Sequence, residues 1–191
     1  MEVRGRSGGI LSVWDPSCFA KTDAIHGRNY LATWGNWSGP NNRCGFLNIY
    51  VPQDIRSKKK LWEDVSTILK AHPGLKWIVF GDFNEVRSCD ERKGTIFSFP
   101  GASLFNDFIH DSNLIEVRSG GRKFTRMSAD CRKLSKLDRF LVSPNFFSLW
   151  PNPSVEILPK LHSDHSPLYF KVSVEDFGRT YFKFFNSWLL R

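Results

Sequence analysis

Short apolar runs separated by Gly-, Pro- and Asn-rich breaks dominate the hydrophobic pattern of this chain, which is typical of a protein with many β-strands. The run LKWIVF at 75–80 is continuously apolar, as expected of a strand that is buried on both faces. The other apolar runs predict further strands at 8–14, 29–35, 44–51, 135–142, 154–158 and 167–174.

Two segments show helical periodicity instead. In 56–71, Leu61, Val65 and Leu69 fall on one face of a helix, and the sequence HPG that follows ends it. A second apolar stripe runs through 103–111. Many strands with few helices predict an α+β fold, in which packed sheets carry helices on the outside.

The composition fits one folded domain. Of the 191 residues, 41% are hydrophobic and 15% aromatic, which is enough for a sizeable core. The four cysteines lie far apart and form no C-x-x-C pair, which disfavours a zinc site or a disulfide framework. No apolar run reaches the length of a membrane span, and the start MEVRGRSGGI has no apolar signal core. We therefore expect an intracellular protein without a membrane partner.

The formal net charge of +8 favours a polyanionic partner such as nucleic acid. From Arg118 to Arg139, eight Lys and Arg residues stand against two Asp. This stretch either follows a phosphate backbone or forms a solvated face, and charge alone does not decide between the two. The sequence RSKKK at 56–60 is interpreted as the polar side of the first helix. The candidate nucleic-acid contacts are Arg118, Arg122, Lys123, Arg126 and Lys136.

The sequence GDFN follows the most apolar strand. Because a strand alternates its faces, Asp82 and Asn84 point one way while Phe83 points the other way, into the core. Polar groups at the end of a buried strand are a common way to build a site. A turn that caps the strand is the alternative, since Asp and Asn are favoured in turns.

Two more motifs place ionisable groups on strands. Asp138 interrupts the apolar run SKLDRFLV, where a carboxylate needs a partner; the alternatives are an ion pair with Arg139 or an exposed face. In SDHSPL, Asp164 and His165 precede Pro167, and this pair is either a surface turn or part of a site.

The three motifs follow or interrupt strands, so their polar groups are able to meet in one pocket. Carboxylates are the ligands that Mg²⁺ prefers, and Mn²⁺ is an alternative ion. A His–Asp pair contacts a phosphate or a water, and an Asn or a Tyr fixes orientation. A lone tyrosine such as Tyr50, at the end of the strand at 44–51, is usually structural. The inventory indicates metal-assisted phosphodiester hydrolysis.

The chain resembles the endonuclease/exonuclease/phosphatase superfamily, which includes DNase I and the abasic-site endonucleases. More narrowly, it looks like the endonuclease domain of plant LINE-type non-LTR retrotransposons, over nearly its whole length. The motifs that carry the resemblance are GRSGGILSVWD, IYVPQ, GDFNEVRSCDERKG, SKLDRFLVSPNF and LHSDHSPL. It implies a DNase I-like four-layer α/β sandwich with two packed, mainly antiparallel sheets, and a Mg²⁺-dependent enzyme that nicks DNA in the nucleus for its parent element.

The resemblance also implies roles for single residues. Tyr50 matches a tyrosine that contacts the scissile phosphate, and Asn84 matches an asparagine that orients it. Asp82 matches the aspartate that handles the proton of the nucleophilic water or of the leaving group. Asp138 matches the aspartate that hydrogen-bonds the catalytic histidine.

Two further matches lie in SDHSPL. Asp164 matches the metal-associated aspartate. His165 matches the histidine at the phosphate, which acts as a general base or as a cationic stabiliser. In KFTRMSA, Arg126 stands where the relatives usually have Trp.

The start of the chain departs from the family pattern. The family opens with a strand that carries an asparagine and then a strand that carries a metal-binding glutamate, whereas this sequence begins at what looks like the following strand. We therefore expect an N-terminally truncated domain at 1–175 that lacks the first strands, and a linker at 176–191 towards an absent reverse transcriptase domain. Three functions stay open: a DNA-nicking endonuclease, an impaired fragment that retains the fold and weak nucleic-acid binding, and a phosphomonoesterase or inositol-phosphate phosphatase. The oligomeric state stays open too.

Overall fold

The computed structural model describes residues 9–39 and 41–173, and the predicted linker at 176–191 lies outside them. Within these ranges the chain forms β1 Phe19–His26, β2 Tyr30–Trp37, β3 Arg43–Tyr50, α1 Ile55–Ala71, β4 Lys76–Asp82, β5 Arg92–Lys93, α2 Phe99–Asp111, β6 Ile115–Glu116, β7 Ser119–Gly121, β8 Arg126–Met127, β9 Leu134–Ser135, β10 Asp138–Val142, β11 Asn152–Ile157 and β12 Leu168–Ser173. In this part of the chain, no helix has the length and apolar character to cross a membrane.

A six-stranded sheet with the order β1-β2-β3-β4-β10-β6 forms the centre of the molecule. Its pairs are antiparallel except for β3–β4, which is parallel. Helix α1 supplies the crossover that a parallel pair requires. The strand predictions at 29–35, 44–51 and 75–80 are confirmed as β2, β3 and β4.

Two smaller sheets lie beside the central one. The second sheet has the order β12-β11-β7 and contains the predicted strand at 154–158 as β11 and the described part of the predicted strand at 167–174 as β12. The third sheet has the order β5-β9-β8, and an isolated bridge joins Arg126 in its last strand to His165, three residues before β12. The predicted strand at 135–142 is broken, since β9 ends at Ser135 and β10 begins at Asp138.

The two faces of the central sheet bury separate cores. On one face, α1 and α2 pack Leu61, Trp62 and Phe105 against the sheet, and the rings of Trp62 and Phe108 stack at 4.3 Å. Each large apolar side chain that is fully buried in this way contributes roughly 1.5–3 kcal/mol. On the other face, the second sheet closes a core that contains Ile78, Phe80, Phe140, Val142, Val155 and Phe170. The site described below lies at one end of this second core.

Capping interactions set the helix ends. Helix α1 begins after Asp54, whose carboxylate accepts the Ser57 N–H at 2.8 Å, and it ends at Ala71, before the predicted stop. Helix α2 begins at Phe99, four residues before the predicted start. Ser98 caps it by accepting the Gly101 N–H, and a proline in the first turn suits a helix start.

The prediction of a strand at 8–14 is wrong for the residues described there. Residues 9–15 have no regular structure, and both Leu11 and Val13 are exposed. A strand forms only where a neighbour offers its backbone hydrogen bonds, and this segment is instead held by the Asn48 side chain, which donates to the Leu11 carbonyl at 3.1 Å. Strand β1 was not predicted, because most of its residues are exposed and its sequence FAKTDAIH shows little alternation.

Candidate active site

Three neighbouring strands place polar side chains in one row at the end of the central sheet. In the parallel pair β3–β4, Tyr50 lies opposite Asp82, and in the antiparallel pair β4–β10, Asp82 lies opposite Asp138. Residues opposite each other present their side chains to the same face of a sheet. The register therefore brings Tyr50, Asp82 and Asp138 together, although they are far apart in the sequence.

This row faces the second sheet. On the same face, two residues further into β4 and β10, the rings of Phe80 and Phe140 stack at 5.4 Å within the core between the sheets. The side chain of Arg139 lies on the opposite face and is fully buried there with two glutamates. Asp138 therefore does not form the ion pair with Arg139 that the sequence left open.

The GDFN turn is shaped by two unusual backbone conformations. Gly81 has φ of 132°, and a Cβ there would lie 2.0 Å from the Ile49 carbonyl oxygen, so only glycine fits. Asn84 has φ of 45°, a left-handed conformation that asparagine tolerates. Its N–H donates to Asp82 Oδ1 at 2.8 Å, and its Nδ2 donates to the Val51 carbonyl at 2.7 Å. The turn thus fixes both polar side chains of the motif.

His165 completes the row from a different part of the chain. Its Nδ1 lies 2.8 Å from Asp138 Oδ2, and its Nε2 lies 4.0 Å from Asp82 Oδ2. A buried hydroxyl positions the first contact, since Thr125 Oγ1 accepts the N–H groups of Leu137 and Asp138 at 2.9 and 3.0 Å. Asp138 orients the imidazole, and the other ring nitrogen faces Asp82.

The electrostatics of the row follow from this packing. The pKa of Asp82 is raised to about 6: burial is the largest cause and the negative charge of Asp138 adds to it, while the Asn84 hydrogen bond and the His165 charge offset part of the rise. The hydrogen bond to Asp138 raises the pKa of His165 above its usual value, and burial opposes this. The row therefore combines an aspartate with a pKa of about 6 and a histidine whose protonated form the Asp138 hydrogen bond stabilises.

Asp164 has a different partner. Arg126 Nε donates to Asp164 Oδ2 at 2.9 Å, and both side chains are about half exposed. Burial raises the pKa of Asp164, but the Arg126 hydrogen bond and the charges of His165 and Arg126 outweigh it and hold that pKa below the usual value. Although Asp164 is next to His165 in the sequence, its carboxylate points to Arg126 in the third sheet.

One group of side chains is arranged as a metal ion would require. Ligand atoms of Asp82, Asp138 and His165 lie within 4.8 Å of one another. Asn84 adds an oxygen, because its Nδ2 is committed to a carbonyl and its Oδ1 stays able to accept. The carboxylates of Asp82 and Asp138 lie side by side, and their mutual repulsion is one cause of the raised pKa of Asp82. A bound cation would offset this repulsion. The donor set fits a hard ion such as Mg²⁺ or Mn²⁺.

The candidate nucleic-acid contacts divide into two kinds. Arg118, Arg122, Lys123 and Arg126 are exposed, and they flank β7 and β8. Lys123 pairs with Asp90 at the surface. The Lys136 side chain is 17% exposed and its ammonium donates to Glu116 at 2.7 Å, so it belongs to an internal network. The first four define a surface that we call the basic segment, residues 118–126.

The internal network lies on the helix face of the sheet, behind the row. Glu116 accepts from Arg139 and Lys136 at 2.7 Å each and from Arg87 at 2.9 Å. Arg139 also binds Glu91, whose own carbonyl accepts the Lys136 N–H. These bonds join β6 and β10 to the 87–93 segment that follows the GDFN turn.

Two residues that support the row, Thr125 and Lys58, are not recognisable from the sequence. Thr125 was not singled out, and a threonine in a short strand-rich stretch gives no signal of its own. Lys58 was placed on the polar side of the first helix, but it is 5% exposed and contacts Glu85. Nothing in the charge run at 56–60 marks one lysine as buried. The spacing to the apolar positions of α1 is the one available signal, since Lys58 precedes Leu61 and Trp62 by three and four residues.

No protein-family model and no curated protein matches the sequence. Solved structures do match. The 3′ phosphatase NExo from Neisseria, bound to a product DNA hairpin, superimposes with a TM-score of 0.64 and 15% identity, over 81% of this chain and 72% of that one. The endonuclease domain of TRAS1, a telomere-specific non-LTR retrotransposon, gives a TM-score of 0.61 and 16% identity, over 81% and 70%.

The AP endonuclease LMAP from Leishmania major is also similar, with a TM-score of 0.54 and 16% identity, over 74% of this chain and 53% of that one. At such identities the similarity shows the fold. The chain has the DNase I-like α/β sandwich that was predicted. Residues 9–39 and 41–173 supply three of its layers: the two helices, the central sheet and the second sheet.

Proposed function

We propose that this protein is a metal-dependent phosphodiesterase that nicks DNA. The observation that carries the proposal is the row of Tyr50, Asp82 and Asp138 on three paired strands, with His165 hydrogen-bonded to Asp138 at 2.8 Å. A histidine held by one carboxylate and facing another supplies the proton transfer and the charge stabilisation that phosphodiester cleavage needs. The DNase I-like fold supports the same reading.

Each member of the row has a proposed part. Asp82 takes the proton of the attacking water, a part that its geometry opposite the His165 ring supports. His165, oriented by Asp138, stabilises the negative charge on the phosphate. Tyr50, 49% exposed at the end of β3, contacts the scissile phosphate, and Asn84, whose Nδ2 is held by the Val51 carbonyl, orients that phosphate.

The metal would be held by the carboxylates of Asp82 and Asp138. When bound, Mg²⁺ or Mn²⁺ supplies Lewis-acid activation of the phosphate. We propose that Arg126 turns from Asp164 to a DNA phosphate when DNA binds, which makes the Asp164 carboxylate available to the ion. The exposure of this ion pair, at 45% and 47%, leaves both side chains able to exchange partners.

DNA as the substrate is supported by charge. The net charge is +8, and the exposed Arg118, Arg122 and Lys123 lie on the chain that leads to Thr125, which positions Asp138. We further propose that the nick serves a LINE-type retroelement of the plant kind, in the nucleus and with a reverse transcriptase domain as its partner. The motifs from GDFNEVRSCDERKG to LHSDHSPL and the similarity to the TRAS1 endonuclease domain support this role.

A supercoiled-plasmid nicking assay tests the proposal. We expect conversion to open circles in Mg²⁺ or Mn²⁺ and none in EDTA, with Asp82→Ala and His165→Ala each lowering the rate by about 10²–10⁴-fold. His162→Ala is the matched control, because His162 is an exposed histidine three residues before His165. DNA binding without any metal-dependent cleavage would contradict the proposal and favour an impaired protein that retains only binding.

Removal of a terminal phosphate is the second candidate reaction. It is favoured by the similarity to NExo, which is described as a 3′ phosphatase bound to product DNA. A hairpin with a 3′-phosphate, offered beside supercoiled plasmid, separates the two reactions. Release of inorganic phosphate that depends on Asp82 and His165, with no nicking, would move the function to phosphomonoester hydrolysis.

A further inference from the structure

A buried ion pair lies directly behind the GDFN turn. Lys58 in the first turn of α1 is 5% exposed, and its Nζ lies 2.5 Å from Glu85 Oε2. The same Nζ donates to the Asn84 carbonyl at 2.9 Å. The Lys58 ammonium therefore binds the Glu85 carboxylate and also the main-chain carbonyl of Asn84, the asparagine of the candidate site.

The pair is held from several sides. Glu85 is 4% exposed, and its Oε1 accepts the Val86 N–H at 3.2 Å. Its Oε2 lies against the first turn of α2, where a Cβ on Gly101 would approach to 2.2 Å. A fixed carboxylate thus holds the Lys58 ammonium at one place between α1, α2 and the turn.

Such a pair is a costly way to hold a fold together. Removing two charges from water opposes folding, and apolar side chains of similar size often do as well or better. Stability alone therefore does not account for this lysine. A need to hold the carbonyl that it binds in one position does account for it. The carbonyl in question belongs to Asn84, whose φ of 45° is a sparsely populated conformation.

Asn84 is fixed at three points, of which Lys58 supplies one. Its N–H donates to Asp82 Oδ1, its Nδ2 donates to the Val51 carbonyl, and its own carbonyl accepts from Lys58. Within residues 9–39 and 41–173, no other group donates to this carbonyl. Loss of the lysine lets the peptide after Asn84 rotate, and this rotation displaces the Asn84 side-chain amide and the Asn84 backbone N–H that holds the Asp82 carboxylate.

We propose that Lys58, anchored by Glu85, is a positioning residue for the reaction: it holds Asn84 in the left-handed conformation that aligns the amide and Asp82 with the phosphate. The inference rests on the proposed function for its catalytic consequence. The positioning of Asn84 itself is a property of the protein without substrate, so it is measured separately.

The test compares variants that separate the hydrogen bond from the charge pair. In Glu85→Gln, Lys58 still donates to the Asn84 carbonyl. The double variant Lys58→Met/Glu85→Gln removes both buried charges together, so no unpaired charge remains, but the Asn84 carbonyl loses its donor. Lys60→Met is the matched control, since Lys60 is an exposed lysine on the same helix that pairs with Asp64. Urea unfolding identifies conditions in which every variant is folded.

The catalytic readout is the kcat and KM for nicking. We expect the double variant to lose about 10–100-fold in kcat, as for other partners that orient a site residue, with the KM for DNA unchanged. Lys60→Met retains the kcat of the unsubstituted protein, and Glu85→Gln, which weakens the anchor but leaves the Lys58 donor in place, loses less than the double variant. An equal loss in Glu85→Gln and the double variant would show that only the ion pair matters, which overturns the proposal.

The structural readout needs no activity. The chemical shifts and hydrogen exchange of the Asn84 backbone and side-chain amides are recorded by NMR without metal or DNA. Glu85→Gln, which carries the same substitution beside Asn84, shows how far that change alone shifts the signals. We expect the double variant to shift them further and to speed their exchange well beyond Glu85→Gln, and Lys60→Met to leave both unchanged. If no variant nicks DNA but these changes appear, the proposed function fails while the positioning by Lys58 stands. Unchanged Asn84 signals in the double variant overturn the positioning, whatever the activity.

Discussion

Asp82 combines two opposing properties in one side chain. Its carboxylate lies opposite Asp138 in the ladder and is mostly buried, so its charge is unfavourable in the folded protein. In the protein without a bound metal, burial and the charge of Asp138 raise the pKa of this proposed base to about 6. A residue of this kind is expected where function is retained at a cost in stability.

Asp82→Asn is therefore expected to stabilise the protein while it abolishes nicking. The folded pKa of about 6 lies above the ordinary value of 3.8, so the ionised side chain opposes folding above pH 6 and has no effect below pH 4. We expect the free energy of unfolding in EDTA to rise by up to about 3 kcal/mol at pH 7.5, with the gain gone below pH 4. Urea titrations at both pH values measure it. Asp23→Asn, at an exposed aspartate of β1, is the control, and equal effects of the two substitutions would refute the explanation.

Gly81 allows a second test on a single residue, because the chain offers a matched control. Gly81 and Gly39 have nearly the same φ, 132° and 130°, but a Cβ at Gly81 would meet the Ile49 carbonyl at 2.0 Å, while Gly39 has nothing within 4 Å. Alanine is strained at both positions by about 1–3 kcal/mol. We expect Gly81→Ala to lose at least about 2 kcal/mol more than Gly39→Ala in urea unfolding, since β3 and β4 must also separate. Equal losses would mean that conformation alone requires the glycine.

At the scale of elements, apolar runs predicted the strands that are buried on both faces. The continuous run of β4 and the runs of β2 and β3 pack against both cores, so their composition reports their burial. Strand β1 lies at the edge of the sheet, and the described part of the predicted strand at 8–14, residues 9–14, has apolar side chains but no ladder, so composition failed for both. The pairing of Asp138 with His165 joins residues 27 positions apart. Family motifs indicated it, whereas periodicity and propensity carry no information on such contacts.

The network around Glu116 joins β6, β10 and the 87–93 segment. Burial raises the pKa of Glu116, but the charge of Arg139 and the hydrogen bonds from Lys136 and Arg87 outweigh it and lower the pKa to about 2. Because the folded pKa lies below the ordinary 4.5, the network stabilises the fold above pH 4.5, and this stabilisation is lost as the pH falls towards 2.

Glu116→Gln is expected to lower the free energy of unfolding by about 3 kcal/mol at pH 7. The difference from the unsubstituted protein should shrink steadily between pH 4.5 and pH 2, as urea titrations across that range would show. Glu156→Gln is the control, because Glu156 forms an exposed pair with Lys171 and should change stability by less than about 0.5 kcal/mol. A difference that stays constant with pH would show that packing, rather than charge, is lost.

At the scale of the whole molecule, the basic segment connects the second sheet to the row. It runs from Arg118, before β7, to Arg126 in β8, where a bridge reaches His165. The nine residues of the basic segment span at most about 30 Å, which is long enough to lie along several consecutive phosphates of one DNA strand. A DNA backbone bound along this segment would reach the row of Tyr50, Asp82 and Asp138 in one fixed orientation.

The salt dependence of DNA binding tests this path. Each lysine or arginine that binds a phosphate contributes about 0.9 to the slope of log affinity against log salt. We expect Arg118→Ala and Arg122→Ala each to reduce the slope by about one and to weaken binding evenly across DNA sequences, as measured by fluorescence anisotropy with catalysis stopped by EDTA. Lys70→Ala is the matched control, since Lys70 is exposed at the end of α1 on the other face of the central sheet. If all three substitutions lower the slope alike, the net charge of the molecule attracts DNA and no path along 118–126 exists.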